Sequence, residues 1–335
     1  MSELSVSNLH SRAELTQLFK QNAYGVRYAA GKWFAESTAQ NPKDSAVLTV
    51  IAPAMTLHQL AQLTSLLAPV LSMGAFYPHP LNGTFHETAL VCPVRVCQAA
   101  ELKDRLEAAA NALRLDIAVQ TKQPALDVGG LLVMDMDSTV IEIECIDEIA
   151  KLAGLGDKVA KVTAQAMRGE LAFSESLISR VACLEGVPVA QLAQIRDSIP
   201  LMPGVVPLIE TLKSHGWKIA IASGGFTYFA DHLKARLGLD AAFSNTLATE
   251  DEILTGKVLG SIVDARIKAQ TVSDLAEKWA IPNGQTIAMG DGANDLLMME
   301  KAALGVACHA KPVVREKADV AIRFGGLHRL LYLLR

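Results

Sequence analysis

Apolar residues in the second half of this chain gather into short unbroken runs, each ending abruptly at a polar cluster. Gly129-Gly-Leu-Leu-Val-Met134, Trp217-Lys-Ile-Ala-Ile-Ala222 and Gln285-Thr-Ile-Ala-Met-Gly290 are three such runs. Continuous hydrophobicity over so few residues predicts strands buried on both faces of a parallel sheet. Helical periodicity alternates with these runs, and late strands are expected at 305–308 and 319–322, then a short C-terminal helix. This alternation predicts an α/β, doubly wound parallel sheet. Between the first and second runs the pattern is helical for about sixty residues, with helices expected over 147–155, 158–167 and 174–184, until Pro203-Gly204 marks the return. Residues 243–263 read as a hairpin-like excursion.

The first third has a different texture. Ala46–Ala52, Glu87–Val94 and Leu115–Thr121 alternate as strands, while 56–67 and 99–113 have helical spacing. With a further strand near 70–76, that order predicts a small ferredoxin-like α+β sandwich. Residues 1–40 are polar and mixed, with a helix expected over 11–21. Lys122-Gln-Pro124 is a plausible linker. We therefore expect an N-terminal domain over 1–125, a second domain over 126–335, and a helical insertion at about 142–203. The first domain is expected to fold separately and to be dispensable for chemistry, either a binding or dimerisation module or a plain structural appendage.

The three runs end in chemistry. The first ends in Asp135 and Asp137, two carboxylates two residues apart. Such a pair is costly unless a cation or a shared proton offsets its repulsion, which suits a Mg²⁺ site where one carboxylate attacks and the other handles protons. The second ends in Ser223-Gly224-Gly225, a hydroxyl and backbone N–H groups free to approach an anion. The third ends in Asp291-Gly-Ala-Asn294-Asp295, and Lys268 precedes it at the start of a helix. A net charge of −4 argues against nucleic acid or an anionic membrane as main partner. The five cysteines show no paired spacing, the start has no signal-peptide pattern, and no apolar stretch reaches membrane-spanning length, so a cytoplasmic protein is expected.

In order and spacing these signals resemble the haloacid dehalogenase superfamily of aspartate-nucleophile phosphotransferases. Asp135-Met-Asp-Ser-Thr-Val-Ile-Glu-Ile-Glu144, Ser223-Gly-Gly-Phe226 and Gly290-Asp-Gly-Ala-Asn-Asp-Leu look like its phosphoserine phosphatases in particular. The resemblance covers about residues 127–335, and Met136 stands where many relatives carry an aromatic residue. It implies that the helical insertion is a cap. It further implies Mg²⁺-dependent hydrolysis of O-phospho-L-serine through an aspartyl-phosphate, as the last step of serine biosynthesis. Asp135 would be the nucleophile and Asp137 the proton donor and acceptor. Ser223, Gly224 and Lys268 would hold the phosphoryl oxygens, and Asn294 would reach the phosphate or the substrate. Asp135, the Asp137 carbonyl and Asp291 would hold Mg²⁺, with Asp295 supporting that shell. In the cap, Glu144 would take the substrate ammonium and Arg180 its carboxylate, with Met167 and Phe173 walling the pocket. The N-terminal third looks similar to ACT-type regulatory domains, which would favour a homodimer. The same residues would also serve phosphoryl transfer to another alcohol. A catalytically idle amino-acid sensor is the remaining alternative, and the complete catalytic set counts against it.

Overall fold

A computed structural model describes residues 2–3, 19, 25–36, 46–168 and 170–335. The helix expected over 11–21 lies outside the described residues, apart from Phe19. The chain divides into two compact units, residues 1–123 together with 320–335, and residues 124–319. No helix among the described residues is long and apolar enough to cross a membrane.

The first unit begins with a small antiparallel sheet of β1 (Ser2–Glu3), β2 (Gly25–Ala29) and β3 (Lys32–Glu36), which the sequence reading missed. Its larger part follows the expected order: β4 (Ala46–Ala52), α1 (Leu57–Leu67), β5 (Leu71–Met73), β6 (Tyr77–Pro78), β7 (Thr88–Val96), α2 (Ala99–Leu113) and β8 (Asp116–Gln120). The main sheet runs β5-β7-β4-β8, all antiparallel, as in a ferredoxin-like sandwich. Helix α1 is started by Thr56, whose hydroxyl accepts the Gln59 N–H while the Gln59 side chain returns to the Thr56 N–H. Its Leu57, Leu60, Leu63 and Leu67, spaced three and four apart, are buried against the sheet.

The domain division expected at residue 125 does not hold at the far end of the chain. Val320–Arg335 groups with the first unit, because a buried polar network ties it there. Arg329 is fully buried and donates to Glu87 Oε1 at 2.6 Å and to Asp116 Oδ2 at 2.6 Å. Asp116 also accepts the Arg323 N–H at 2.7 Å. In place of the expected C-terminal helix, Leu327–Leu333 forms tight 3₁₀ turns that bury Leu330, Leu331 and Tyr332.

In the second unit β9 (Leu131–Met134) leads into four helices, α3 (Cys145–Leu152), α4 (Gly156–Met167), α5 (Phe173–Ala182) and α6 (Val189–Asp197). The last was not foreseen. The chain leaves and re-enters at one point, where Glu142 and Met202 donate to the carbonyls of Pro200 and Val140 at 3.1 and 2.9 Å. Next come α7 (Val205–Ser214), β10 (Lys218–Phe226), α8 (Thr227–Leu237), the antiparallel pair β11 (Ala241–Glu250) and β12 (Ile253–Leu259), and α9 (Ala265–Lys278). The unit ends with β13 (Thr286–Gly290), α10 (Leu296–Lys301), β14 (Leu304–Cys308) and α11 (Pro312–Lys317). Strands of this unit lie in the order β12-β11-β10-β9-β13-β14, parallel from β11 to β14. Every residue of β9 and β13 is buried, as their unbroken apolar runs require.

Removing the Arg329 guanidinium takes the cation from buried Asp116 and half-buried Glu87. Arg329→Met is therefore expected to destabilise the first unit by about 3–5 kcal/mol, read as a lower unfolding midpoint. An unchanged midpoint would show that the network contributes nothing.

Candidate active site

Strand register sets the site. Met134 pairs with Met289 across β9 and β13, so Asp135 and Asp291, which follow the two strands, emerge side by side. Asp135 extends the ladder by donating its N–H to the Met289 carbonyl at 2.9 Å. The chain then turns sharply: Val140 and Ile141 both donate to the Met136 carbonyl, at 2.8 and 3.1 Å, and Ser138 takes a left-handed φ of 55°. Met136 is buried, so the replacement of an aromatic residue there bears on packing. The Thr139 hydroxyl reaches Asp291 Oδ1 at 3.5 Å.

At the end of β10 the Ser223 hydroxyl accepts the Gly225 N–H at 3.0 Å. The adjoining glycines are places of close approach. A Cβ on Gly224 would stand 2.8 Å from Phe173, and one on Gly225 would stand 2.5 Å from Met136. Buried Asn245, unremarked in the sequence, pins this loop by donating to the Gly224 carbonyl and accepting the Val263 N–H, both at 2.8 Å. An Asn inside a strand pattern carries no local signal of such a role.

Lys268 reaches the centre from α9. Asp264 caps that helix, its carboxylate accepting the N–H groups of Arg266 and Ile267 at 2.9 and 3.0 Å. The Lys268 ammonium is fully buried, 2.9 Å from Asp135 Oδ2 and 2.8 Å from Asp295 Oδ1. Burial alone would depress its pKa, but the two carboxylates outweigh that and raise it. Asp295 is pushed up to about 7, chiefly by burial and then by the charge of Asp135, although it is itself paired with Lys268. One cation shared between two acids explains why both partners rise. Asp291 is pushed up to about 6 by burial and by the charges of Asp135 and Glu144. Asp137 rises well above the carboxylate range through burial and the nearby Glu144, opposed by hydrogen bonds from Cys145.

This excess of negative charge fits a divalent cation. Oxygens of Asp135, Asp291 and Asp295 lie within 4.8 Å of one another, and the Lys268 ammonium pairs with two of these acids, Asp135 and Asp295. Both Asp295 oxygens are engaged, one by Lys268 and the other by the Gly292 N–H at 3.0 Å. Asp295 is thus arranged to hold its neighbours in place.

Above the cluster lies a cavity of about 640 Å³. Of the residues singled out in the sequence, Asp135, Asp137, Glu144, Phe173, Arg180, Ser223, Gly224, Asp291 and Asn294 line it. Lys268 and Asp295 stand behind that lining. The side chain of Met167, at the end of α4, lies outside the described residues. Ile146, Leu177, Asp264, Arg266 and Leu297 also face the cavity and were not anticipated. Arg180 lines it with its Nε buried and lacking any hydrogen-bond partner.

A family model of haloacid dehalogenase-like hydrolases matches residues 130–303. The chain is 56% identical over 222 residues to the phosphoserine phosphatase of Haemophilus influenzae, covering 66% of this chain and 71% of that one. Among solved structures, a probable phosphoserine phosphatase from Vibrio cholerae aligns with a TM-score of 0.74 at 43% identity, over 89% of this chain and 88% of that one. A structure titled as a phospho-aspartyl intermediate analogue of phosphoserine phosphatase aligns with a TM-score of 0.58 at 38% identity, over 62% of this chain and 99% of that one. With the strand-end acids, the buried lysine and these likenesses in agreement, the chain belongs to the haloacid dehalogenase-like hydrolases and, within them, to the phosphoserine phosphatases.

Proposed function

We propose that this enzyme hydrolyses O-phospho-L-serine to L-serine and phosphate through an aspartyl-phosphate on Asp135, supplying the last step of serine biosynthesis. The observation that carries the substrate is charge disposition around one cavity. Arg180, whose buried Nε has no hydrogen-bond partner, and the acidic Glu144 stand in its wall with Asp135, Asp137 and Ser223.

An Asp135 oxygen attacks phosphorus while the bond to the serine oxygen breaks, splitting one hard hydrolysis into two easier steps. Asp137, whose raised pKa favours its protonated form, donates to the departing alkoxide. It then takes a proton from the water that attacks the aspartyl-phosphate. Ser223, the Gly224 N–H and Lys268 hold the phosphoryl oxygens as charge spreads over them. Asn294 reaches the phosphate or the substrate from the opposite wall. Mg²⁺, held by Asp135, the Asp137 carbonyl and Asp291, would neutralise phosphoryl charge when bound. Arg180 binds the substrate carboxylate as a fork, Glu144 binds the ammonium, and Phe173 excludes water, with Met167 assigned to the same wall. The first unit contributes none of these groups, and we assign it a ligand-binding or pairing role in a cytoplasmic enzyme.

Three results are expected. Asp135→Asn keeps the side chain's shape without its nucleophilicity, so phosphate release from O-phospho-L-serine should fall to background; near wild-type turnover would end the mechanism. Arg180→Ala should lose roughly tenfold to a hundredfold in kcat/KM on O-phospho-L-serine, the worth of a charged hydrogen bond, and little on phosphoethanolamine, which has no carboxylate. Equal losses on both would assign Arg180 to the phosphate or to structure.

The third concerns protons and metal. Asp291 sits at about 6, so it is protonated below that pH and must lose the proton to bind a cation. As pH falls below about 6, the Mg²⁺ concentration giving half-maximal activity should climb by up to about tenfold per unit. A flat metal requirement down to pH 5 would show that Asp291 is not a ligand.

A further inference from the structure

Glu144 is the N-cap residue of α3, yet its side chain makes no capping hydrogen bond. A carboxylate at that position ordinarily turns back to the first N–H groups of its own helix, where the helix dipole favours it. Here it turns the other way. Its Oε1 accepts the Ser138 hydroxyl at 2.8 Å, the one hydrogen bond to this carboxylate among the described residues. Ser138 is placed for this by its left-handed backbone, φ 55°, a conformation that costs energy for any residue with a Cβ. The Ser138 N–H donates to the Ile143 carbonyl at 3.3 Å, so both ends of the residue tie the loop between Asp137 and α3.

Glu144 has reason to swing elsewhere. Its pKa is raised by the protein packed around it and by the charges of Asp135 and Asp147, while the Ser138 hydrogen bond and Arg180 oppose that rise. The charges of Asp135 and Asp147 thus disfavour a charged Glu144 where it stands, and without a partner its carboxylate is free to leave the cavity wall.

We propose that Ser138 is a positioning residue for amine recognition: its hydroxyl holds Glu144 in the cavity, oriented to receive the substrate ammonium. The inference rests on the assignment of Glu144 to that ammonium. It makes Ser138 a determinant of the preference for amino-bearing phosphomonoesters, without contact to the reacting phosphorus.

The test compares O-phospho-L-serine with glycerate 3-phosphate, which carries a hydroxyl in place of the amine. Ser138→Ala and Ser138→Gly both remove the hydroxyl, and glycine also relieves the left-handed backbone. Both should raise KM for O-phospho-L-serine by roughly five- to tenfold, the worth of one hydrogen bond, with kcat held within about twofold and little change on glycerate 3-phosphate. In Glu144→Gln the amine preference should collapse, and adding Ser138→Ala to it should cost nothing more. Wild-type preference in Ser138→Gly, or equal loss on both substrates, would overturn the proposal. If Glu144→Gln itself keeps the preference, the assignment of Glu144 fails and Ser138 loses its role with it.

Discussion

Everything at the strand ends depends on a single buried ammonium. Lys268 is fully enclosed between Asp135 and Asp295, and those two acids crowd together with the half-buried Asp291 and Asp137. An isolated buried cation would be too costly to keep charged, and so would the acids without it. Their mutual stabilisation is incomplete by design of charge: the acids outnumber the cation. Burial first, and then the unbalanced charge of Asp135, raise the pKa values of Asp291 and Asp295, and the imbalance leaves room for a second cation. The Asp264 cap, the register of β9 against β13 and the packing of Gly290 against Asp295 all serve to bring these charges to one point.

The catalytic half was legible because its signals are local. A strand buried on both faces has to be apolar throughout, so its end is visible as a break in composition. Asp135, Ser223 and Asp291 each stand at such a break. The two glycines after Ser223 were read as freeing backbone N–H groups for an anion, whereas their close neighbours in the fold, Phe173 and Met136, carried no signal in the sequence. The hairpin of β11 and β12 and the first three cap helices were likewise written in periodicity. What escaped was long-range. Asn245 pins the Ser223 loop through side-chain hydrogen bonds that no neighbouring residue foreshadows. Helix α6 is short, and only Leu192 and Ile195 are buried along it, too few to set up a periodic stripe. Arg329 looks like any surface arginine until Glu87 and Asp116, over two hundred positions earlier, are brought to it.

In the function proposed above, selectivity is assigned to the cap. Its contribution is a pair of opposite charges on separate elements, Glu144 at the start of α3 and Arg180 within α5, facing one cavity. A zwitterionic end group satisfies both at once. A substrate with only one of the two charges leaves the other protein group desolvated and unpaired, which costs more than the missing contact alone would suggest.

The grouping of Val320–Arg335 with the first unit has a consequence for biosynthesis. A chain emerges from the ribosome N-terminus first, and domains ordinarily fold in that order. Here the earlier strands and helices, β4 to β8, hold Glu87 and Asp116 in readiness for a guanidinium translated more than two hundred residues later. The segment that forms the catalytic sheet is made in between. The first unit is thus completed only after residues 124–319 have been made, so its closure waits on the synthesis of the second.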